Sequence, residues 1–174
     1  MVVVRNVHER MVAAPADRVW ELVEGLGGSD DRLWPSPGWP RMRLDGPLAV
    51  GARGGHAMIR YAVTAYDPGR RVEFTFAPAT GVHGTHSFTV APVGPDRALL
   101  RHELVGRLAG WTRLVWPLAV RWLHDAVIED LLDRAQDAVG VPPARRARHS
   151  AWVRLLRRAS SRSSVLRNRR GAGV

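Results

Sequence analysis

A helical apolar stripe that arrives only after a run of strands constrains this chain more than any single motif. Residues 71–108 alternate apolar and polar positions with the two-residue period of strands. Over residues 111–139 the pattern changes. Val120, Val127, Ile128, Leu131, Ala135, Ala138 and Val139 fall on one side of a helix at about 100° per residue, and Glu129, Asp130, Asp133, Gln136 and Asp137 on the other. A sheet with one apolar face and a long helix with one apolar side must cover each other. The economical arrangement is an α+β domain whose sheet curls around the helix. Wrapped sheets of this kind leave a hollow between the layers, which makes the chain a candidate container for a small apolar molecule.

The elements before the sheet are short. Residues 2–12 are β-branched and extended in character. Pro15 stands at a first-turn position, where its missing N–H does no harm, and opens a helix whose apolar side is Val19, Trp20, Leu22 and Val23. Gly25, Gly27 and Gly28 stop it, and Ser29-Asp30-Asp31 can cap one more turn through Leu33 and Trp34. Residues 35–40 carry three prolines and fit neither helix nor strand. Trp34 and Trp39 beside them read either as a plug in one end of the core or as the rim of a pocket mouth. Strands are expected at 41–44, 54–66, 71–77, 85–91 and 98–108, with turns at 67–70 and 92–97.

Alternation assigns faces. Val72, Phe74 and Phe76 share one; so do His86, Phe88 and Val90, and Leu100, His102 and Leu104. The first strand is ambiguous: one register turns Asn6, His8 and Arg10 inward, the other Val3, Val7 and Met11. His124 falls near the middle of the apolar side of the long helix. Arg121 and Asp125 lie at its edge, four apart and within reach of each other.

Charge is unevenly placed. The chain has 26 basic residues, all arginine, against 16 acidic ones. Residues 1–140 hold 16 Arg and 16 Asp plus Glu, so the body is neutral, and residues 141–174 hold the remaining 10 Arg and no acid. The net charge belongs to an appendage and says little about the pocket. That appendage reads as largely disordered, with a short amphipathic helix at 150–159 that presents Trp152, Leu155, Leu156 and Ala159. It serves either as a solvated extension or as an anchor on an anionic membrane; nucleic-acid contact is the weaker reading. There is no cysteine, which excludes disulfides and thiolate chemistry. The opening residues do not read as a secretion signal, and the apolar run at 114–123 is too short to span a bilayer. A cytoplasmic protein is expected, peripheral at the membrane in the anchor reading.

The opening Val12-Ala13-Ala14-Pro15-Ala16-Asp17-Arg18-Val19-Trp20-Glu21-Leu22-Val23 resembles that of the SRPBCC superfamily. This group holds the START-related proteins, the birch-pollen-allergen fold and the bacterial polyketide cyclases and dehydratases. Tyr66-Asp67-Pro68-Gly69-Arg70-Arg71-Val72 adds to the likeness. So does Trp116-Pro117-Leu118-Ala119-Val120-Arg121-Trp122-Leu123-His124-Asp125, which is similar to the end of actinobacterial members. The resemblance covers residues 1–140. It implies a helix-grip fold: a curved antiparallel sheet wrapped around a long C-terminal helix, with two short helices after the first strand. It also implies a cavity between sheet and helix for a lipid, polyketide or similar apolar molecule. Among such proteins some are cyclases, some carriers and some regulatory interaction modules, and fold alone does not choose.

Three imidazoles facing one apolar cavity, His86, His102 and His124, are the candidate catalytic groups, because histidine exchanges protons near neutral pH. Each also reads as an ordinary core histidine. The candidate ligand-binding residues are Trp34, Trp39, Phe74, Phe76, Phe88 and Leu100 from the sheet side, and Val120, Arg121, Val127 and Leu131 from the helix. No metal and no cofactor is expected. His83 and His86 have a tempting spacing, but on a strand they face opposite sides and nothing nearby completes a site.

Overall fold

The computed structural model describes residues 2–160. In chain order they form β1 (Val2–Val12), α1 (Ala16–Glu24), β2 (Arg43–Leu44), β3 (Arg53–His56), β4 (Ile59–Asp67), β5 (Arg71–Phe76), β6 (Val82–Gly94) and β7 (Arg97–Leu108). A helical stretch follows: α2 (Thr112–Val115), a π-turn (Trp116–Val120) and α3 (Arg121–Ala138). A last helix, α4, covers residues 151–160. The seven strands make one antiparallel sheet in the order β1-β7-β6-β5-β4-β3-β2. This is the expected α+β helix-grip architecture, with α3 against the inner face of the sheet.

Phe74, Phe88, Val90 and Leu100 from the sheet, Val19 and Val23 from α1, and Val127, Leu131 and Ala135 from α3 are buried in one core. Val82, Leu104, Leu108 and Trp116 form a smaller cluster beneath the π-turn. The inward faces read from alternation in β5, β6 and β7 are the buried ones, except that Phe76 is half-buried; Ser87, on the other face of β6, is buried as well. Register is fixed here because slipping one residue would turn every one of these side chains outward.

Several local expectations need correction. Residues 54–66 are not one strand but the hairpin β3–β4, closed at Ala57 and Met58. Ala57 takes the left-handed conformation (φ 48°) that glycine or asparagine usually marks, so the turn carries no composition signal. Just before it, Gly54 is required by close approach: a Cβ there would lie 2.0 Å from the Arg43 carbonyl oxygen. Between α1 and β2 the second short helix is replaced by turns. Asp31 holds them, accepting from the amides of Gly27, Leu33 and Trp34. The long helix is not uniform either. Pro117 lacks the N–H that a regular turn uses, and the π-turn forms around it.

β1 settles its register by polarity. Val3 and Met11 are exposed, and Asn6, His8 and Arg10 turn inward onto α3. Asn6 donates to Asp125, His8 to Asp125 and Glu129, and Arg10 to Glu129, Asp133 and Gln136. The match is geometric: two residues of strand advance about 6.6 Å and four residues of helix about 6 Å. Asn6, His8 and Arg10 therefore meet Asp125, Glu129 and Asp133 rung by rung. The acidic side of α3 is a bonded seam: Asp133 is buried within it, Asp125 and Glu129 are half-buried, and Asp137 stays exposed.

The segment after α3 is docked rather than free. Asp133 accepts from the Ala147 amide, Asp137 takes both guanidinium nitrogens of Arg146, and Asp130 faces His149 at 2.9 Å. Arg157 bonds His149 and the Gly38 carbonyl and lies 4.5 Å over the Trp39 ring. On α4 it is Val153 that is buried, while Trp152 and Leu155 are exposed. The part of the expected disordered tail at 161–174 lies outside the described residues.

Candidate functional site

Inside the grip, aromatic rings run in a continuous row. Trp34 lies tilted against His56 (centroids 4.7 Å apart), and His56 lies 5.9 Å from Tyr61. Tyr61 meets His86 edge-on at 4.8 Å; His86 is 5.6 Å from His102, and His102 is 5.1 Å from His124. His124 closes the row 6.2 Å from His8. The expected trio His86, His102 and His124 thus forms consecutive neighbours. β-Sheet pairing explains the first step: His86 on β6 and His102 on β7 share the inner face two registers apart, because His86 pairs with Leu104 and His102 with Phe88.

The walls are the expected aromatics. Phe74 and Phe76 sandwich His86, each with centroids 4.9 Å away, and Phe88 meets His102 edge-on at 4.8 Å. Trp116 covers His124 from the π-turn at 6.3 Å. Leu100, Val127 and Leu131 are buried in the main core beside them, and Val120 packs on the smaller cluster. Trp34 is buried and donates its indole N–H to the Pro40 carbonyl, as a plug would. Trp39 lies outside the row, held by Asp130 and Arg157. Arg121 does not reach the interior: it is mostly exposed and pairs with Asp125 at 3.7 Å. Two surface hollows, of about 220 and 400 Å³, sit by the loops around Gly28 and Gly46, and neither touches α3 or β5–β7.

The row divides by charge. Burial lowers His56 to about 4, helped by His124 and Arg60. Burial also holds His86 and His102 well below the ordinary imidazole range, with neighbouring imidazoles adding to it. His124 is lowered by burial too, although Asp125, 4.0 Å from its Nδ1, pulls the other way. At neutral pH these four are uncharged. His8 is the opposite case. Burial works against its charge, but Asp125 and Glu129 accept from its two ring nitrogens at 3.2 and 2.7 Å and raise it to about 9. Burial opposes ionisation of Asp125, yet His124, His8 and Asn6 keep it well below the carboxylate range. Burial pushes the Tyr61 phenol up, so it stays a neutral donor 3.2 Å from His56 Nδ1.

Among the described residues, four buried polar atoms lack a hydrogen-bond partner: Asn6 Oδ1, His86 Nε2, His102 Nδ1 and His124 Nδ1. All belong to the row or to its charged end. His56 was not singled out by the sequence; Asn6 and His8 stood in one of the two open registers of β1, and Asp125 was placed with Arg121 at the edge of the apolar stripe of α3. His8, His124 and Asp125 also have one ligand atom each within 4.8 Å of the others, the spacing a metal ion would need. The imidazolium of His8 already occupies that position electrostatically, so these residues fit an ion pair better than a cation site.

Residues 4–140 match the family model described as polyketide cyclase / dehydrase and lipid transport. The chain belongs to this family. Its fold is shared with norcoclaurine synthase from Thalictrum flavum, 18% identical, covering 79% of this chain and 87% of that one with a TM-score of 0.61. Another structure of that enzyme, holding dopamine and hydroxybenzaldehyde, is 18% identical, with 75% and 85% covered and a TM-score of 0.57. A protein from Thermobifida fusca is similar at 19% identity, covering 86% of this chain and all of its own length, with a TM-score of 0.57. Among curated proteins, none matches this sequence. At these identities the structural likeness carries the fold, and the chemistry must come from the residues of this chain.

Proposed function

We propose that this chain binds a small, largely apolar molecule bearing one or more carbonyls between its sheet and α3, and that His86, His102 and His124 act on it as general acid and base. One observation carries the reading. Three neighbouring imidazoles each bury a nitrogen without a partner, and such a group costs on the order of 1–3 kcal/mol. A ligand whose polar atoms reach those nitrogens removes that cost. Phe74, Phe76, Phe88, Leu100, Val127 and Leu131 supply an apolar wall around it. Uptake requires some of these packed side chains to part.

The chemistry suited to this row is cyclisation of a chain with several carbonyls. A neutral imidazole removes a proton from carbon between two carbonyls, and a neighbouring N–H donates to the enolate oxygen. The enolate carbon bonds to a second carbonyl carbon. The new alkoxide takes back the proton from the imidazolium, so the ring forms without net gain or loss of protons; elimination of water can follow. Asp125 and the charged His8 set the position and basicity of His124.

Native mass spectrometry of the protein from its producing cells, followed by solvent release of anything bound, tests the binding step. A stoichiometric carbonyl-bearing apolar compound supports the reading, and His124→Ala should then stop its conversion while sparing its binding. Turnover unaffected by His124→Ala, His102→Ala and His86→Ala would remove the catalytic role.

A second reading is a non-catalytic carrier that visits anionic membranes. It is favoured by the exposed tryptophans and leucines at residues 111–122 and on α4, and by the arginines after Pro143.

A further inference from the structure

We infer that the helical stretch at residues 111–122, which runs into the start of α3, and α4 together form a docking face for the surface of an anionic lipid bilayer. Trp111, Leu114, Leu118 and Trp122 follow one another at helical spacing and all point to water, with Leu114 and Leu118 exposed by 71% and 63%. The partly exposed Trp152 and Leu155 of α4 extend the same patch. The two pieces are joined: the Trp152 indole donates to the Leu118 carbonyl at 2.8 Å, and the Trp122 indole to the Pro117 carbonyl at 3.0 Å. Both acceptors lie in the π-turn, so the tryptophans brace the irregular backbone while leaving their rings at the surface. Large apolar side chains gathered at one exposed place need an occupant.

Charge selects the occupant. No acidic residue occurs between Glu103 and Asp125 or after Asp137. Arg113 of α2 and Arg158 of α4 are both exposed and come from the segments that bear the patch. Leucines and tryptophans that enter the headgroup layer, with arginines set to meet phosphates, are the composition of an interfacial membrane site. An acidic protein partner would pair with the arginines but would not require a convex row of leucine and tryptophan. The face differs from an arginine tail acting alone, because most of its apolar part comes from residues 111–122. It shares only the membrane with the carrier reading: vesicle binding without uptake of any apolar molecule keeps the face and removes the carrier.

The test is sedimentation of the full chain with vesicles of phosphatidylglycerol and phosphatidylcholine, and with phosphatidylcholine alone. Binding should need phosphatidylglycerol and weaken with added salt. The double variant Leu114→Asp, Leu118→Asp should bind at least about tenfold more weakly. Both positions are exposed, so thermal unfolding should be unchanged, which separates lost docking from lost folding. Equal binding by the double variant would overturn the inference in favour of adsorption by arginines alone. No binding to phosphatidylglycerol vesicles, with self-association that the double variant abolishes, would assign the patch to a second copy of the chain.

Discussion

His8 and His56 lie toward opposite ends of one row of rings, and their protonation differs sharply. His8 holds a proton up to about pH 9, whereas His56 releases its own at about pH 4. Both are screened from water. What separates them is the partner: two carboxylates of α3 for His8, and the Trp34 ring and a neutral phenol for His56. Desolvation alone empties an imidazole of charge, and a carboxylate pair restores it. A single strand and helix thus create a charged rim beside a neutral interior, which is the separation acid–base chemistry uses.

The largest expected consequence is on acid stability. His56, His86, His102 and His124 are all lowered in the fold, so the unfolded chain binds up to four more protons as pH falls below about 6.5. Stability from these groups is present above pH 6.5 and is lost on acidification, by at most about 1.4 kcal/mol per pH unit for each. For a domain of ordinary stability, unfolding is expected between about pH 4 and 6. Circular dichroism against pH checks this; a fold that persists at pH 3 would break the contrast between the two ends.

The charged end has the opposite sign. Because His8 is raised, its contribution is complete below about pH 6.5 and is lost as pH climbs through about 9, on the order of 3 kcal/mol in all. Asp125→Asn removes the carboxylate that Asn6 and His8 share. It should cost about 3 kcal/mol at pH 7 and flatten this alkaline loss. Urea titrations at pH 7 and pH 9 measure both; an unchanged alkaline limb in the variant would place the raised affinity elsewhere.

His102→Leu sharpens the neutral side. It deletes a buried nitrogen that has no partner, so unfolding free energy at pH 7 should stay within about 1 kcal/mol of the parent, and proton uptake on acid unfolding should fall by one. A loss of several kcal/mol would mean that the imidazole makes structural bonds. The smallest effect belongs to the rim of α3. Asp130→Asn weakens the contacts to His149 and Trp39, worth about 0.5–1 kcal/mol. Hydrogen exchange should rise at residues 146–160 while the amides of α3 are unaffected.

How much of this the sequence revealed depends on whether a face is apolar. The inward sides of β5, β6 and β7 were legible because Phe74, Phe88 and Leu100 alternate with polar residues, and His86 and His102 ride on the same period. His124 was legible from the helical stripe. The inward side of β1 was not decided, since Asn6, His8 and Arg10 look like a surface until the acids of α3 are set against them. For the same reason the sequence places Asp133 only on the polar side of the helix, although it is buried between Arg10 and the Ala147 amide. The docking of residues 144–160 depends on arginines and a histidine that pair with those acids, and composition reads such residues as a solvated tail. The β3–β4 turn escaped because Ala57 adopts a conformation its side chain does not advertise.

The most direct test is a pH titration of the imidazole signals by NMR on protein labelled with ¹⁵N and ¹³C in histidine. His8 should titrate at about 9 with both ring nitrogens protonated below that. His56, His86, His102 and His124 should show no charged form before the chain unfolds. Five imidazoles titrating together near 6.5 would contradict the account, because the interior would then be wet and its nitrogens already partnered by water.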